Sequence, residues 1–408
     1  MKEAWLPLRH RFFRAMWIAS VVSNIGTWMH TVAAAWLMTT LAASPFLVGL
    51  VQTATTLPVF LLALPAGAAA DLVSRRRMLM FTQTWMLAVA GLLGVLTLMG
   101  KIGPWALLWL TFALGLGSAM NGPAWAATIP ELVPHGELAA AVALNSVGFN
   151  IARAIGPALG GSIMAASNAG VVFLLNAISF LAVIVVLWKW RYSRPVPNPD
   201  AGLNQALREG LHYVRSTPAF YAVLVRVGLF GLGGSALWAM LPVVVSEKLG
   251  STSLGYGILL GCLGAGAVIG AAILAPLRAR YSPDRLVLAG IFLFAAAATA
   301  LALITHFGLL AAAMIAGGIA WMTIMSTFAV CAQMAPPMQM RARALAYYLL
   351  VFQGAMAMGG GVWGAVAAKT GVGTALLIAV ALMIAGLATG TRLRLAPKVQ
   401  AEDARYAT

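Results

Sequence analysis

Residues 147–161 read VGFNIARAIGPALGG, an apolar run with Arg153 in its middle. A guanidinium carries five N–H donors and stays charged at any physiological pH, so here it must find carbonyls, amides, water or an electron-rich ligand. A carboxylate is the usual partner, and the chain has ten acids: Glu3, Asp71, Glu131, Glu137, Asp200, Glu209, Glu247, Asp284, Glu402 and Asp403. All fall in loops, tails or the ends of apolar runs, and none falls at the depth of Arg153. Asn150 lies three residues before it, and Asn145 and Ser146 two turns before it, so one face of this segment is polar. Two readings follow. Arg153 is a hydrogen-bonded packing residue of a kinked helix, or it faces a water-filled cavity and attracts an anionic or electron-rich molecule.

A second polar set recurs at helical spacing. Ser20, Asn24, Thr27 and Thr31 fall at i, i+4, i+7 and i+11, on one helical face, and His30 borders that stripe. Gln52, Thr53 and Thr56, then Asn121, then Thr323, Ser326 and Thr327 add polar groups to other apolar runs. Together they could line an aqueous path. His30 is the one histidine inside an apolar run, and imidazole titrates near pH 6.5, which suits a proton carrier. It serves equally as a hydrogen-bonding lining residue; Asp71 and Glu131 are the other proton-coupling candidates. No GxxxxGK[ST], no H-E-x-x-H and no nucleophile paired with a base is present, so neither ATP hydrolysis nor another enzymatic activity is expected, and no cofactor or metal is implied.

The elements that must position these residues are membrane spans. Of 408 residues, 62% are hydrophobic and 9% charged, with a mean hydropathy of +0.91. A soluble domain has about 25% charged residues, and runs of about 18 or more apolar residues, each able to cross the bilayer, recur throughout. The expected spans are 14–41, 45–69, 77–99, 103–127, 138–166 and 170–189, then 219–246, 254–277, 284–305, 309–332, 343–368 and 372–391. The basic N-terminus leads into an apolar stretch too long for a signal peptide, so it reads as a retained first span. Arg153, about 15 residues into its span at 1.5 Å per residue, lies near the bilayer centre. There an arginine costs about 2.5–3.5 kcal/mol to insert. Arg226, shallower in the seventh span, is expected to snorkel to the cytoplasmic face.

The formal charge of +16 is distributed by topology. With a cytoplasmic N-terminus, 21 of the 26 Lys and Arg face the cytoplasm; Lys101, Lys248 and Lys369 face outward, and Arg153 and Arg226 lie within spans. This is the positive-inside pattern, which points to anionic lipid headgroups as partners and away from nucleic acid. Cys262 and Cys331 both fall in spans, as buried thiols. The expected organisation is an N-terminal six-helix bundle (1–189), a cytoplasmic linker with an amphipathic helix (190–218), a C-terminal six-helix bundle (219–392) and a cytoplasmic tail (393–408). The halves echo each other: LNSVGFNIARAIGPALGG (144–161) aligns with LAYYLLVFQGAMAMGGGVWG (345–364), placing Gly156 and Gly160 opposite Gly360 and Gly364. A six-by-six repeat is a transporter architecture with its site near the midplane.

The loop GAAADLVSRRR, Gly67 to Arg77, sets Asp71 ahead of Arg75, Arg76 and Arg77. It resembles the loop signature of the major facilitator superfamily, and residues 148–161 resemble the Gly-Pro motif in the fifth span of its antiporters. GTWMHTVAAAWLMTTLAASPFLVGL (26–50), GPAWAATIPELVP (122–134), residues 144–161 and ALREGLHYVRSTP (206–218) resemble the bacterial efflux branch containing the enterobactin exporter and the transmembrane secretion effectors. The resemblance covers essentially the whole chain. It implies an all-α membrane protein of twelve transmembrane helices in two pseudo-symmetric six-helix bundles, monomeric, in the bacterial cytoplasmic membrane with both termini cytoplasmic. It implies a secondary-active exporter of a small amphipathic molecule, a siderophore or a drug, driven by proton antiport; an importer of the same fold is the alternative. Spans one, four, seven and ten would line the pathway, with Trp238 stacking on an aromatic substrate. Gly67, Asp71 and the arginines Arg75, Arg76 and Arg77 would form a cytoplasmic latch with Arg341 and Arg343 at the start of the eleventh span. Gly156, Pro157, Gly160 and Gly161 would be its helix-packing motif. The chain departs from the pattern at Ala275, where an acid would end the eighth span ahead of the second-half loop PLRARYSPDR (276–285), so only the first half keeps the full loop motif, and at His30, where a glutamine is expected.

Overall fold

A computed structural model describes residues 3–72, 74–190, 214, 217–336 and 341–395. Among them the chain is entirely helical. Twelve long helices follow in order: α1 (Arg11–Leu41), α2 (Pro45–Leu72), α3 (Arg75–Leu98), α4 (Pro104–Leu132), α5 (Leu138–Ala166), α6 (Ala169–Lys189), α7 (Pro218–Val243), α8 (Ser253–Arg280), α9 (Pro283–Leu303), α10 (Phe307–Met334), α11 (Arg341–Thr370) and α12 (Val372–Gly386). They match the expected spans to within a few residues. The amphipathic helix expected in the linker and most of the tail lie outside the described residues.

Local chemistry sets the helix ends. Pro104, Pro218 and Pro283 occupy first helical positions, where the missing N–H costs nothing. The Asn168 side chain accepts from the Val171 N–H to cap α6 (3.2 Å), and His306 Nδ1 accepts from the Leu309 N–H at the start of α10 (3.3 Å). Gly100 and Gly371, at φ 67° and 86°, make the tight turns after α3 and α11 that a side chain would strain. At Val243 the α7 ladder widens into a π-helical turn, Val244–Lys248, and Lys248 Nζ donates to the Ala302 carbonyl (2.6 Å).

Ten of the long helices are long and apolar enough to cross a membrane. The two that fall short, α1 and α4, are 31 and 29 residues long, so length is not the cause. Their apolar runs are diluted by serine, threonine, asparagine and histidine. Such groups are tolerated at membrane depth only where they face protein or a water-filled cavity.

Helices α1–α6 and α7–α12 form the two bundles. In the first, α1 packs on α5 and α6, α3 on α6 and α4, and α2 on α4; in the second, α7 packs on α11 and α12, α8 on α10, and α9 on α10 and α12. The halves meet mainly through α2 against α11 and α5 against α8. Both contacts are made by glycines. A Cβ on Gly161 would lie 2.5 Å from the Ser253 carbonyl and 3.0 Å from Gly257 Cα; one on Gly360 would lie 2.7 Å from the Gly49 carbonyl. Thr53 Oγ1 donates to the Ala357 carbonyl (2.6 Å) and Ser253 Oγ to the Gly161 carbonyl (3.3 Å), so each contact also carries a hydrogen bond between halves.

By role, Gly160 and Gly161 correspond to Gly359 and Gly360. The first of each pair packs within its own half, on Met29 or Ser235, and the second packs across the interface. This register is slipped from the one suggested by sequence, because the repeat is kept by what the glycines touch.

Arg226 differs from expectation. It is 6% exposed and does not snorkel. It pairs with Asp284 at the start of α9 and donates to the Leu393 carbonyl (3.3 Å), while the Leu395 N–H also donates to Asp284 (3.3 Å). The second half therefore does carry an acid in this region, further along than Ala275.

Candidate substrate cavity

A cavity of about 510 Å³ opens against the inner face of the first bundle. Drug-sized ligand sites span about 300–1,000 Å³. Asn24 of α1, Asn121 of α4, and Asn145, Asn150 and Arg153 of α5 line it together. So do Ser20, Ser23, Gln83, Ser118 and Trp125, with Met322 of α10 from the other half. The glycine contacts that close the two halves lie toward the ends of α5 and α11 and the starts of α2 and α8. The cavity lies on the other side of that closure, toward the end of the molecule where α1 begins.

Its wall is rich in donors. Trp125 Nε1, which can only donate, is 3.0 Å from Asn145 Oδ1, and Thr82 Oγ1 and Gln83 Nε2 each donate to Asn121 Oδ1 (3.1 Å). Both amide oxygens are thus engaged by protein. Asn150 spends one donor on the Ser146 carbonyl (2.8 Å). Among the described residues, no acidic side chain lines the cavity.

Arg153 is the one cation in this wall among the described residues. It makes no ion pair among them, and its Nε is buried without a hydrogen-bond partner. Instead the guanidinium lies beside a touching pair of indoles, 5.8 Å from the ring centre of Trp28 and 5.6 Å from that of Trp238. Each such contact contributes about 0.5–2 kcal/mol, more as water is excluded. The two indoles are 6.5 Å apart, Trp28 from α1 in one half and Trp238 from α7 in the other. Trp238 continues edge-on to Trp321 (5.2 Å), which packs on Phe230, Phe294 and Phe352. Gly156 makes the geometry possible: a Cβ there would lie 2.6 Å from Trp28 Cβ, so glycine lets α5 press Arg153, one turn earlier, onto the indole. Gly264 of α8 does the same from the far side, where a Cβ would lie 2.5 Å from the Arg153 carbonyl.

Other expected residues lie elsewhere. Thr27 and His30 face a separate void of about 80 Å³ inside the first bundle. Thr323 and Thr327 are buried, donating to the Ile319 and Thr323 carbonyls, and Thr323 lines a groove between α8, α9 and α10. Ser326 accepts from Arg278 (2.8 Å). Gln52 is half-buried on α2, away from the cavity. In the loop region, Arg75 pairs with Glu131, Arg76 donates to the carbonyls of Leu187 and Trp188 (3.0 Å each), and Arg77 is exposed. Gly67 and Asp71 fall on the last turns of α2, and Arg341 and Arg343 on the first turn of α11. The side chains of Asp71, Arg341 and Arg343 lie outside the described ones.

The sequence reading missed Trp28, Phe149, Trp321, Ser118 and Gln83. Trp28 had a signal, one turn beyond Asn24 beside the polar stripe, but an indole reads as apolar in such patterns. Ser118 precedes Asn121 at helical spacing.

The sequence profile of the transmembrane secretion effector family matches residues 2–407. The chain belongs to that family. Its relatives are transporters of the major facilitator superfamily, not enzymes, and this transmembrane secretion effector is a multi-pass membrane protein of that superfamily. The staphyloferrin A transporter of Staphylococcus aureus is 25% identical over 257 residues, 63% of this chain; the alignment spans 65% of that relative's length. A point mutant of the nucleoside transporter NupG has a TM-score of 0.77 at 14% identity, covering 94% of this chain and all of that one. A bacterial homologue of the lysosomal transporter Spinster, inward-facing and unoccupied, has a TM-score of 0.73 at 15% identity, covering 94% and 96%. At these identities the two structures show a shared fold.

Proposed function

We propose that this chain exports a small amphipathic molecule rich in anionic or oxygen acceptor groups, of the siderophore or acidic-drug class, by alternating access in exchange for protons. One observation carries the reading: a donor-lined cavity, without an acidic side chain among the described residues, holds an arginine set against a touching pair of tryptophans, one from each half. A cation beside aromatic rings suits a ligand that is both electron-rich and planar. Amide NH₂ groups suit carboxylate, phenolate or hydroxamate oxygens. The family description, secretion effector, supports export, and the name of the staphyloferrin A relative supports the substrate class.

The Lys and Arg bias puts both termini in the cytoplasm. On that orientation the glycine contacts close the outer end, and the cavity opens inward to collect cargo. The helices divide into functional units at 1–189 and 219–392, working as a monomer. Asp71, Arg75, Arg76, Arg77, Arg341 and Arg343 act as a latch on the cytoplasmic side, Gly67 giving the close approach. Both arrangements need to differ by only a few kcal/mol to be visited in turn. Glu131, His30 and Asp71 are the groups available to couple protons.

The test uses liposomes with an imposed pH gradient and a trapped pH-sensitive dye. A catecholate siderophore and a lipophilic cation are added separately. Proton flux with the siderophore, lost in Arg153→Ala and kept in Arg280→Ala, an exposed cation of α8, is the expected result. Flux with the cation alone, indifferent to Arg153→Ala, overturns the proposal.

A further inference from the structure

His30 sits outside the large cavity, and its surroundings are unusual for a packing residue. It is 4% exposed, and neither Nδ1 nor Nε2 has a hydrogen-bond partner. Its ring lies 4.8 Å from that of Phe173 on α6, which covers one face. The 80 Å³ void beside it is enclosed by α1, α2, α3, α4 and α6. Its polar wall is made of hydroxyls: Thr27, Thr31, Thr55, Thr111 and Ser118. Thr27, Thr31 and Thr55 donate to their own helix carbonyls at 3.0, 3.0 and 2.8 Å, which leaves their oxygens as acceptors. Thr111 Oγ1 is buried with no partner at all.

Both imidazole nitrogens and Thr111 Oγ1 are thus unmet polar atoms beside one void whose remaining lining is mostly apolar, a specific arrangement. Each costs about 1–3 kcal/mol if left dry. The void has room for a few waters, with the hydroxyls and the imidazole within its lining as their partners. Ser118 lines this void and the large cavity as well. It stands where the two meet.

We propose that the void is a hydrated proton chamber: His30 binds and releases a proton that passes between the large cavity and the ordered water by way of Ser118. This rests on the proton-antiport reading above. A proton from cavity water is accepted by the Ser118 hydroxyl oxygen as that hydroxyl gives its own proton to chamber water, and the chain ends on the imidazole nitrogen that lacks a hydrogen. Release runs the same steps backward, and no electron changes owner. One doorway is sufficient. Because the chamber opens onto the cavity, and the cavity faces each side of the membrane in turn, His30 needs no second path. None of the lining side chains from α2, α3, α4 or α6 is titratable, so the imidazole is the only group in the chamber able to hold the proton.

The experiment is nitrogen-15 NMR of the histidine side chains of the full chain in lipid nanodiscs, from about pH 3.5 to 8. The resonance missing in His30→Gln is that of His30. It is expected to titrate in this window and to exchange with water, and in Thr111→Val, which preserves volume, its exchange is expected to slow by about tenfold. A resonance that neither titrates nor exchanges overturns the proposal, as does proton flux retained in His30→Gln liposomes given the catecholate. If the unsubstituted protein gives no catecholate-driven proton flux, the exporter reading fails, while the NMR result still decides the chamber.

Discussion

The guanidinium carbon of Arg153 lies 5.6 Å from the ring centre of Trp238, and the two residues belong to opposite halves of the chain. Trp28 touches both from the same half as Arg153. On the alternating access proposed above, the Arg153–Trp238 contact is the one between halves, so it belongs to one conformation, and a ligand beside Arg153 can replace the indole that leaves.

Removing one indole should weaken ligand binding and leave the fold intact. Trp238→Leu is expected to reduce affinity by about 2- to 30-fold, the equivalent of one cation–π contact of about 0.5–2 kcal/mol. Trp238→Phe should recover part of that loss. Equilibrium binding of the catecholate to purified protein checks it; equal affinity in all three proteins would mean that Trp238 only packs.

The glycine contacts predict a change of conformation. Gly161→Val puts side-chain atoms where the Ser253 carbonyl and Gly257 Cα now stand. The closed end is then disfavoured. Spin labels at Ser167 and Thr252, beside this contact, should report a longer distance in Gly161→Val than in the parent. An unchanged distance distribution would show that the interface tolerates bulk.

Arg75 and Glu131 hold the start of α3 and the end of α4 together. Glu131 is 10% exposed and its Oε2 has no partner, so deleting the arginine strands a carboxylate. Arg75→Ala should cost about 1–3 kcal/mol, a buried-pair penalty discounted because the arginine is partly exposed. Glu131→Gln should cost less, and the charge swap Arg75→Glu with Glu131→Arg should regain part of the loss. Thermal unfolding in detergent tests this; equal midpoints for Arg75→Ala and the parent would contradict it.

Arg226 and Asp284 make a more severe case, because Arg226 is nearly inaccessible. Asp284→Ala should sharply reduce folded protein by leaving that charge unpaired at depth. Arg226→Met combined with Asp284→Leu should be tolerated far better, since replacing a buried pair by apolar groups is often neutral. Yield of monodisperse protein after extraction is the measurement; equal yields for the single and double variants would refute it.

The spans were legible because hydropathy is summed over some 20 residues, so single errors average out. Asn24, Asn121, Asn145, Asn150 and Arg153 meet in one cavity, and each was visible as a polar group at helical spacing in an apolar run. Thr323, Thr327 and Gln52 carried the same signal and face elsewhere. The rotation of α10 about its axis is set by how α8 and α9 pack on it, and one helix's own pattern does not hold that information. Trp28 was invisible for the opposite reason: an indole that reads as core in a pattern becomes part of the site once a cation is brought against it. His30 fell between these cases, being next to the stripe but turned inward.

The shortage of apolarity in α1 and α4 has a consequence for biogenesis. The translocon releases a helix into lipid according to the hydropathy of that helix taken by itself. The asparagines, serines and histidine that equip these two helices for their task make both of them poor clients for release. The polar face of α1 turns to the cavity and the void beside it, whose other walls come mainly from α2 to α6, so it is sheltered only when the whole first half has been synthesised. The first half of the chain must then be gathered at the insertion site and let go as a group, and a nascent chain stalled after α4 would leave two reluctant helices to quality-control proteases.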